Sequence, residues 1–361
     1  MPPRTLGPYE FLSVIGRGGI GTVYRARHRE SGEVVAVKLL VPPPVCDPTA
    51  ARRLAREFEA LRGLTHPNVV RVFDAGVHEG YSFLVMELIQ GLDLRSYLSP
   101  DLEEADARGP LPTRERALEF SGWSSEPDTD TLTPASACSP PGALQSFASL
   151  MDEPDTNPDP SRPEERTPPA AGSPEPEPPA PPPSTPALLE RLNRPARTRR
   201  IVDALGQVCD GLAYIHARGL VHRDLKPTNV MVDDARCVRL MDFGLVKLSS
   251  DVAHLTQHGK VVGTYRYMAP EQARGEPVDH RADLYSLGVI LFEVLCGRPP
   301  FTARRPPELW REVLSRPPPS VHSLNPGAGP HLARLAEQLL AKDPRERLQS
   351  AEEVAERLGG G

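Results

Sequence analysis

The chain has 361 residues, enough for two domains or one large bilobal one, with a formal net charge of −6 and a pI near 6.0. That balance, with no basic tract beyond short Arg pairs, speaks against a nucleic-acid partner. Met1-Pro2-Pro3-Arg4 opens no apolar leader and no run of eighteen apolar residues follows, so no membrane segment is expected. Five scattered cysteines (Cys46, Cys138, Cys209, Cys237, Cys296) without C-x-x-C spacing fit a reducing cytoplasm better than a disulfide framework or a zinc site.

Strand patterns come first. Residues 11–15 and 23–27 flank a glycine-rich turn, and the β-branched run 34–40 follows. Leu54, Phe58, Leu61 and Leu64 recur at helical spacing and predict a helix over 50–64. Residues 69–73 and 81–89 read as two further strands. From residue 99 the pattern breaks. Between 151 and 186, 14 of 36 residues are Pro, with eight acids against two bases. Such a segment cannot bury enough apolar surface to offset its ordering entropy, so 99–196 is expected to be a largely disordered, acidic, Pro-rich insert. Two pieces of it, 113–120 and 186–192, carry helical character. A solvated spacer is the default reading, and a docking site for a polyproline-binding partner is the sharper one. As a coil the insert would reach roughly 50 Å. Closing so long a loop costs only about 2 kcal/mol more than closing a short one. Beyond it, Ile201, Leu205, Val208, Leu212 and Ile215 predict an amphipathic helix over 197–218, and further helices are expected near 281–296, 331–341 and 350–358.

The chemistry is concentrated in His222-Arg223-Asp224-Leu225-Lys226-Pro227-Thr228-Asn229, followed by Asp242-Phe243-Gly244. One Asp can accept a hydroxyl proton, a Lys two residues on can neutralise a phosphate, and an Asn and a second Asp can hold Mg²⁺. Those are the parts phosphoryl transfer requires, because its catalysis is mostly positioning and charge neutralisation. Upstream, Gly16-Arg17-Gly18-Gly19-Ile20-Gly21 is a G-x-G-x-x-G. Alone it is weak, since dinucleotide sites and plain hairpins share it. A dinucleotide site needs a helix directly after the glycines. Here Thr22-Val23-Tyr24-Arg25-Ala26 is strand-like, which favours a glycine hairpin folding over phosphates. Lys38 lies in the apolar strand Val35-Ala36-Val37-Lys38, and Glu57 on the following helix could hold it in place to pair a phosphate. An edge lysine snorkelling to water is the bland alternative.

Together Gly16, Gly18, Gly21, Lys38, Glu57, His222 to Asn229, Asp242-Phe243-Gly244 and Ala269-Pro270-Glu271 resemble a protein kinase catalytic domain. The wording Gly263-Thr264-Tyr265-Arg266-Tyr267-Met268-Ala269-Pro270-Glu271-Gln272 is similar to bacterial Hanks-type serine/threonine kinases. The resemblance covers nearly the whole chain outside the insert. It implies an α+β bilobal fold, with a strand-rich N-lobe and hinge over 9–92, the C-lobe starting at 93–98, and its remainder over 197–358.

The same resemblance implies roles. Asp224 is the base and Lys226 steadies the transferring phosphate. Asn229 and Asp242 hold Mg²⁺ or Mn²⁺. Lys38, oriented by Glu57, contacts the α- and β-phosphates of ATP. Ile15, Gly16, Gly18 and Gly21 cover the nucleotide, and backbone groups of Glu87 and Ile89 meet adenine beside the gatekeeper Met86. Asp93 lies near the ribose, while Val23, Ala36 and Met231 sandwich the ring, although ordinary core accounts for these three equally well. Lys226 and Thr264 imply Ser/Thr acceptors on protein substrates. Asp283 resembles the aspartate that braces the catalytic loop, and Arg347 the partner of Glu271. Arg223 implies activation by phosphorylation of the loop that follows, with Lys247 as a possible second cation and Thr256 as a candidate autophosphorylation site. His258 and Lys260 depart from relatives that carry a Thr nearby. An ATP-binding scaffold acting through conformation is the alternative from another class, and the presence of Lys38, Asp224 and Asp242 argues against it. A small-molecule kinase is a further alternative, against which the Ala-Pro-Glu segment argues.

Overall fold

The computed structural model describes residues 5–18, 21–40, 61–78, 81–102, 185–243 and 265–360. Strands β1 (Thr5–Leu6), β2 (Tyr9–Gly18), β3 (Gly21–His28), β4 (Val34–Leu40), β5 (Val72–His78) and β6 (Tyr81–Glu87) form an antiparallel sheet in the order β1-β2-β3-β4-β6-β5. Alternation along β4 decides what each face does. Val35, Val37 and Leu39 pack with Tyr9, Tyr24, Ala26 and Val85 in one apolar cluster, whereas Ala36 joins Leu84 and Met86 in the main core. Lys38 shares the Ala36 face and so points toward the second lobe.

The rest is mainly helical. A three-stranded sheet of β7 (Gly91–Asp93), β8 (Val230–Asp233) and β9 (Val238–Leu240) lies beside α1 (Leu94–Tyr97). Then come α2 (Pro186–Leu192), α3 (Pro195–His216), α4 (Pro270–Ala273), α5 (Arg281–Cys296), α6 (Pro306–Ser315), α7 (Val321–Leu324), α8 (Pro330–Leu339) and α9 (Ala351–Gly359). All five residues of the predicted α3 stripe are buried. Helix α5 is buried on every side and is the centre of this lobe, with Leu284, Tyr285, Ile290 and Phe292 fully buried.

The two parts are joined by a continuous seam. Val70 N–H donates to the Leu240 carbonyl (2.9 Å), and Leu240 N–H donates to that of Asn68 (2.9 Å). Gly211 on α3 permits this approach, because a Cβ there would sit 2.8 Å from the Asn68 oxygen. Val69 and Val70, predicted to begin a strand, are used for this seam instead, and β5 starts later, at Val72.

The boundary of the insert also moves. Residues 185–196, assigned to it, are folded: the helical piece expected at 186–192 is α2, and Pro186 and Pro195 open helices, since a first-turn proline loses no helical hydrogen bond. Arg197 then ties the stems. Its guanidinium, 2% exposed as a residue, donates to the carbonyls of Leu98 (3.0 Å), Leu192 (2.9 Å) and Val294 (2.8 Å). Asp101 and Arg191 form an ion pair beside it. The remainder of the insert with its helical piece at 113–120 and its polyproline reading, and most of the helix predicted over 50–64, lie outside the described residues.

Candidate active site

The catalytic loop is built from α5 upward. Asp283, at the start of that helix and fully buried, accepts backbone N–H bonds from His222 (Oδ2, 2.8 Å) and Arg223 (Oδ1, 2.8 Å), and its Oδ2 is 2.9 Å from His216 Nε2. The buried His222 ring donates from Nε2 to the Met241 carbonyl (2.9 Å), which leaves Nδ1 as acceptor, 3.4 Å from Asp224 N. Arg223 is left-handed at φ 63°, a conformation a branched guanidinium side chain does not choose unaided. Leu225, 1% exposed, anchors the loop, and a 3₁₀ turn over Pro227–Asn229 brings Asn229 back to Asp224. Asn229 Nδ2 donates to the Asp224 carbonyl (2.8 Å) and to its Oδ2 (3.1 Å), while Lys226 Nζ stands 3.5 Å from that same oxygen. Lys226 and Asn229 therefore converge on Asp224.

The second half of the site is carried by Asp242, also left-handed at φ 52°. Met241 N–H donates to the Asn229 carbonyl (2.8 Å), so the two expected metal ligands come from adjoining strand-edge segments. Lys38 Nζ reaches across from β4 to Asp242 Oδ1 at 2.7 Å. Asn229 Nδ2 is committed to Asp224, so its amide oxygen is the atom a cation would use, with the Asp242 carboxylate as second ligand. This oxygen-only pair suits a hard cation that keeps waters and shares phosphate oxygens. Phe243 packs on the His222 ring at a centroid distance of 5.0 Å.

On the nucleotide side, β2 and β3 pair Gly16 with Val23 and Gly18 with Gly21, which puts the three glycines at a hairpin tip and excludes the helix a dinucleotide site requires. Ile15 is exposed beside it. Ala36 faces Met86 across β4 and β6, and Asp93 faces Met231 across β7 and β8. Met86 is 1% exposed, a core residue at the back of the cleft, whereas Val23 and Met231 are half-buried. Glu87 N–H donates to the Arg71 carbonyl (2.9 Å), so the carbonyl of Glu87 and the half-buried Ile89 are what it offers a base. One Asp93 oxygen is already used, accepting from Ser96 N (2.8 Å) as the cap of α1.

The peptide side rests on two buried networks. Arg347 donates two near-parallel bonds to Glu271 (2.7 and 2.8 Å), a bidentate pair with both residues under 5% exposed. Tyr267 donates to Glu293 (2.5 Å), and its oxygen accepts from Arg95 (2.7 Å). Burial, then the Glu293 carboxylate, push the Tyr267 phenol well above its ordinary range, so it stays a donor. Ser286 Oγ adds a bond to the Tyr267 carbonyl (2.7 Å). Arg95 and Glu293 carry no motif, Gln272 closes the 263–272 stretch without a role of its own there, and only three-dimensional proximity reveals what the three do. Glu57, Gly244, Lys247, Thr256 and Thr264 lie outside the described residues, so the carboxylate seen on Lys38 is that of Asp242.

A family model for protein tyrosine and serine/threonine kinases matches residues 9–358. The chain belongs to this family. The chain is 32% identical over 359 residues to the DNA damage-responsive serine/threonine-protein kinase RqkA of Deinococcus radiodurans, covering 98% of this chain and 40% of that protein. It is 30% identical to the serine/threonine-protein kinase PknD of Mycobacterium tuberculosis, covering 97% and 39%. The chain thus spans about two fifths of the length of these curated relatives. The solved PknI kinase domain of Mycobacterium tuberculosis has the same fold, with a TM-score of 0.57, 21% identity, and coverage of 99% of this chain and 97% of that one. The expected bilobal kinase architecture and the likeness to bacterial Hanks-type enzymes are both borne out.

Proposed function

We propose that the kinase transfers the γ-phosphate of ATP to Ser and Thr hydroxyls of protein substrates, its own chain included. The observation that carries this is the convergence of Lys226 and Asn229 on the Asp224 carboxylate, with Lys38 and Asp242 joined across the cleft. Asp224 accepts the acceptor hydroxyl's proton as the oxygen attacks, and Asn229 and Lys226 hold its carboxylate in place. Lys226 also offsets the charge on the phosphoryl group in transit. Lys38 neutralises the α- and β-phosphates, and the hairpin of Gly16, Gly18 and Gly21 folds over them. Bound Mg²⁺ or Mn²⁺, held by Asn229 and Asp242, would supply Lewis-acid charge stabilisation to the phosphates. Adenine would lie between Val23, Ala36 and Met231, against the backbone of Glu87 and Ile89, with Asp93 near the ribose. The pairing of Lys38 with Asp242, beside an Asp224 held by Asn229 and Lys226, favours transfer over a scaffold role.

The bacterial serine/threonine kinases above support the Ser/Thr assignment, as does Lys226 beside the base. Arg223 is the cation that a phosphate on the loop after Asp242 would meet, with Lys247, Thr256 and Thr264 as the residues involved. A reducing cytoplasm suits the free thiols of Cys209, Cys237 and Cys296. No helix among the described residues is long and apolar enough to cross a membrane. The test is Mg²⁺-dependent transfer of label from ATP to a Ser/Thr peptide, followed by phosphoamino-acid analysis. Label on Ser or Thr is expected, and label on Tyr alone would contradict the assignment.

A further inference from the structure

Gln272 spans two backbone groups that belong to different parts of the site. Its Oε1 accepts from Ala269 N–H (3.0 Å), and its Nε2 donates to the Arg223 carbonyl (2.9 Å). Because one partner can only donate and the other can only accept, the amide has a single orientation. The Arg223 carbonyl is half of the peptide plane that enters Asp224. The other half, Asp224 N–H, faces His222 Nδ1 at 3.4 Å. A planar peptide whose oxygen is fixed has its N–H direction fixed too, and with it the Cα of the next residue.

Arg223 is the residue at which this matters most. Its left-handed φ of 63° is unfavourable for a non-glycine residue and relaxes unless neighbours over-determine it. Asp283 holds the N–H end from α5 (2.8 Å), and Gln272 holds the carbonyl end from α4. Helix α4 is in turn fixed by the Glu271–Arg347 pair.

We propose that Gln272 is a positioning residue for the general base: it fixes the Arg223–Asp224 peptide plane and makes the geometry of Asp224 depend on the ordering of the Ala269-Pro270-Glu271 segment. This rests on the kinase reading above. The substrate-facing segment and the base thereby form one mechanical unit, so an acceptor groove that is not assembled leaves the base misaimed.

The experiment uses the full chain and five proteins: wild type, Q272E, Q272A, Asp224→Asn and the Q272E/Asp224→Asn double variant. Glu at 272 can still accept from Ala269 N–H but presents an acceptor to the Arg223 carbonyl. Misplacement of a reacting group by about 1 Å costs up to about 100-fold. In Q272E, kcat for peptide phosphorylation should therefore fall about tenfold or more, with KM for ATP and the melting temperature close to wild type. In the Asp224→Asn background the same substitution should have no further effect on kcat, since the base it positions is gone. Wild-type kcat in Q272E would overturn the proposal, and so would an equal loss in both backgrounds. A loss that tracks the unfolded fraction would also overturn it, and Q272A, which has no charge to bury, separates that outcome. Absence of transfer by wild type would instead overturn the kinase reading, and the proposal with it.

Discussion

Lys38 and Asp242 meet at 2.7 Å from opposite lobes, a strand-borne ammonium on the carboxylate of a left-handed residue. Neither position has a reason to exist in packing terms: Lys38 interrupts an apolar strand, and Asp242 adopts a backbone that costs of order 1–3 kcal/mol. Lys38→Met should therefore leave the melting temperature within a few degrees of wild type and reduce phosphoryl transfer about 100-fold or more, as removal of a preorganised charge does. Steady-state kinetics beside differential scanning fluorimetry checks this. Retained turnover would show that Lys38 does not contact the nucleotide.

The Glu271–Arg347 pair behaves oppositely, because it is buried and touches no substrate. Removing one partner strands a charge, so Arg347→Leu should destabilise the kinase by about 3–5 kcal/mol. Replacing both with apolar residues of similar size should recover part of that loss. Urea denaturation midpoints of the single and double variants test it.

Lys342 offers a pH dependence. Burial, with Arg347 and Arg274 adding to it and Glu312 opposing, pushes its ammonium down to about 7. Its Nζ donates to the Val313 carbonyl (2.6 Å), a bond a neutral amine can keep. In the unfolded chain the group titrates near its ordinary value of about 10.4. Between these values the unfolded state binds the extra proton, so stability rises with pH from about 7 toward about 10. Wild type should gain stability over Lys342→Met between neutral pH and pH about 9.5. Parallel curves for the two proteins would contradict the assignment.

Arg197 and the Asp101–Arg191 pair tie together the stems that flank residues 103–184. Replacing that stretch with about ten Gly/Ser residues shortens the closed loop and should raise stability by about 2 kcal/mol or less. Peptide phosphorylation should be unchanged. A several-fold rise in rate would show that the insert restrains the active site.

Most of the site was legible because its chemistry is local in sequence. His222 to Asn229 needs no long-range contact to be recognised, and the alternation of Val35, Ala36, Val37 and Lys38 already assigns the lysine a face. The stripe from Ile201 to Ile215 read correctly for the same reason. What failed was decided by distant partners. Val69 and Val70 look like a strand, yet Val69 N–H donates to the His66 carbonyl and Val70 N–H to that of Leu240. The helical character of 186–192 was legible, but its place in the folded lobe was not, because that depends on Arg197 bonding the carbonyls of Leu98, Leu192 and Val294. Gln272 and Arg95 are chemically unremarkable until the fold places a carbonyl or a phenol beside them.

The most direct test of the account is label transfer from ATP by wild type and Asp224→Asn in the presence of Mg²⁺. Loss of a general base should lower turnover by about 10²–10⁴-fold while the Asn, of the same size and still bonded to its neighbours, keeps the fold. Equal labelling by the two proteins would contradict the assignment of Asp224 and with it the proposed mechanism.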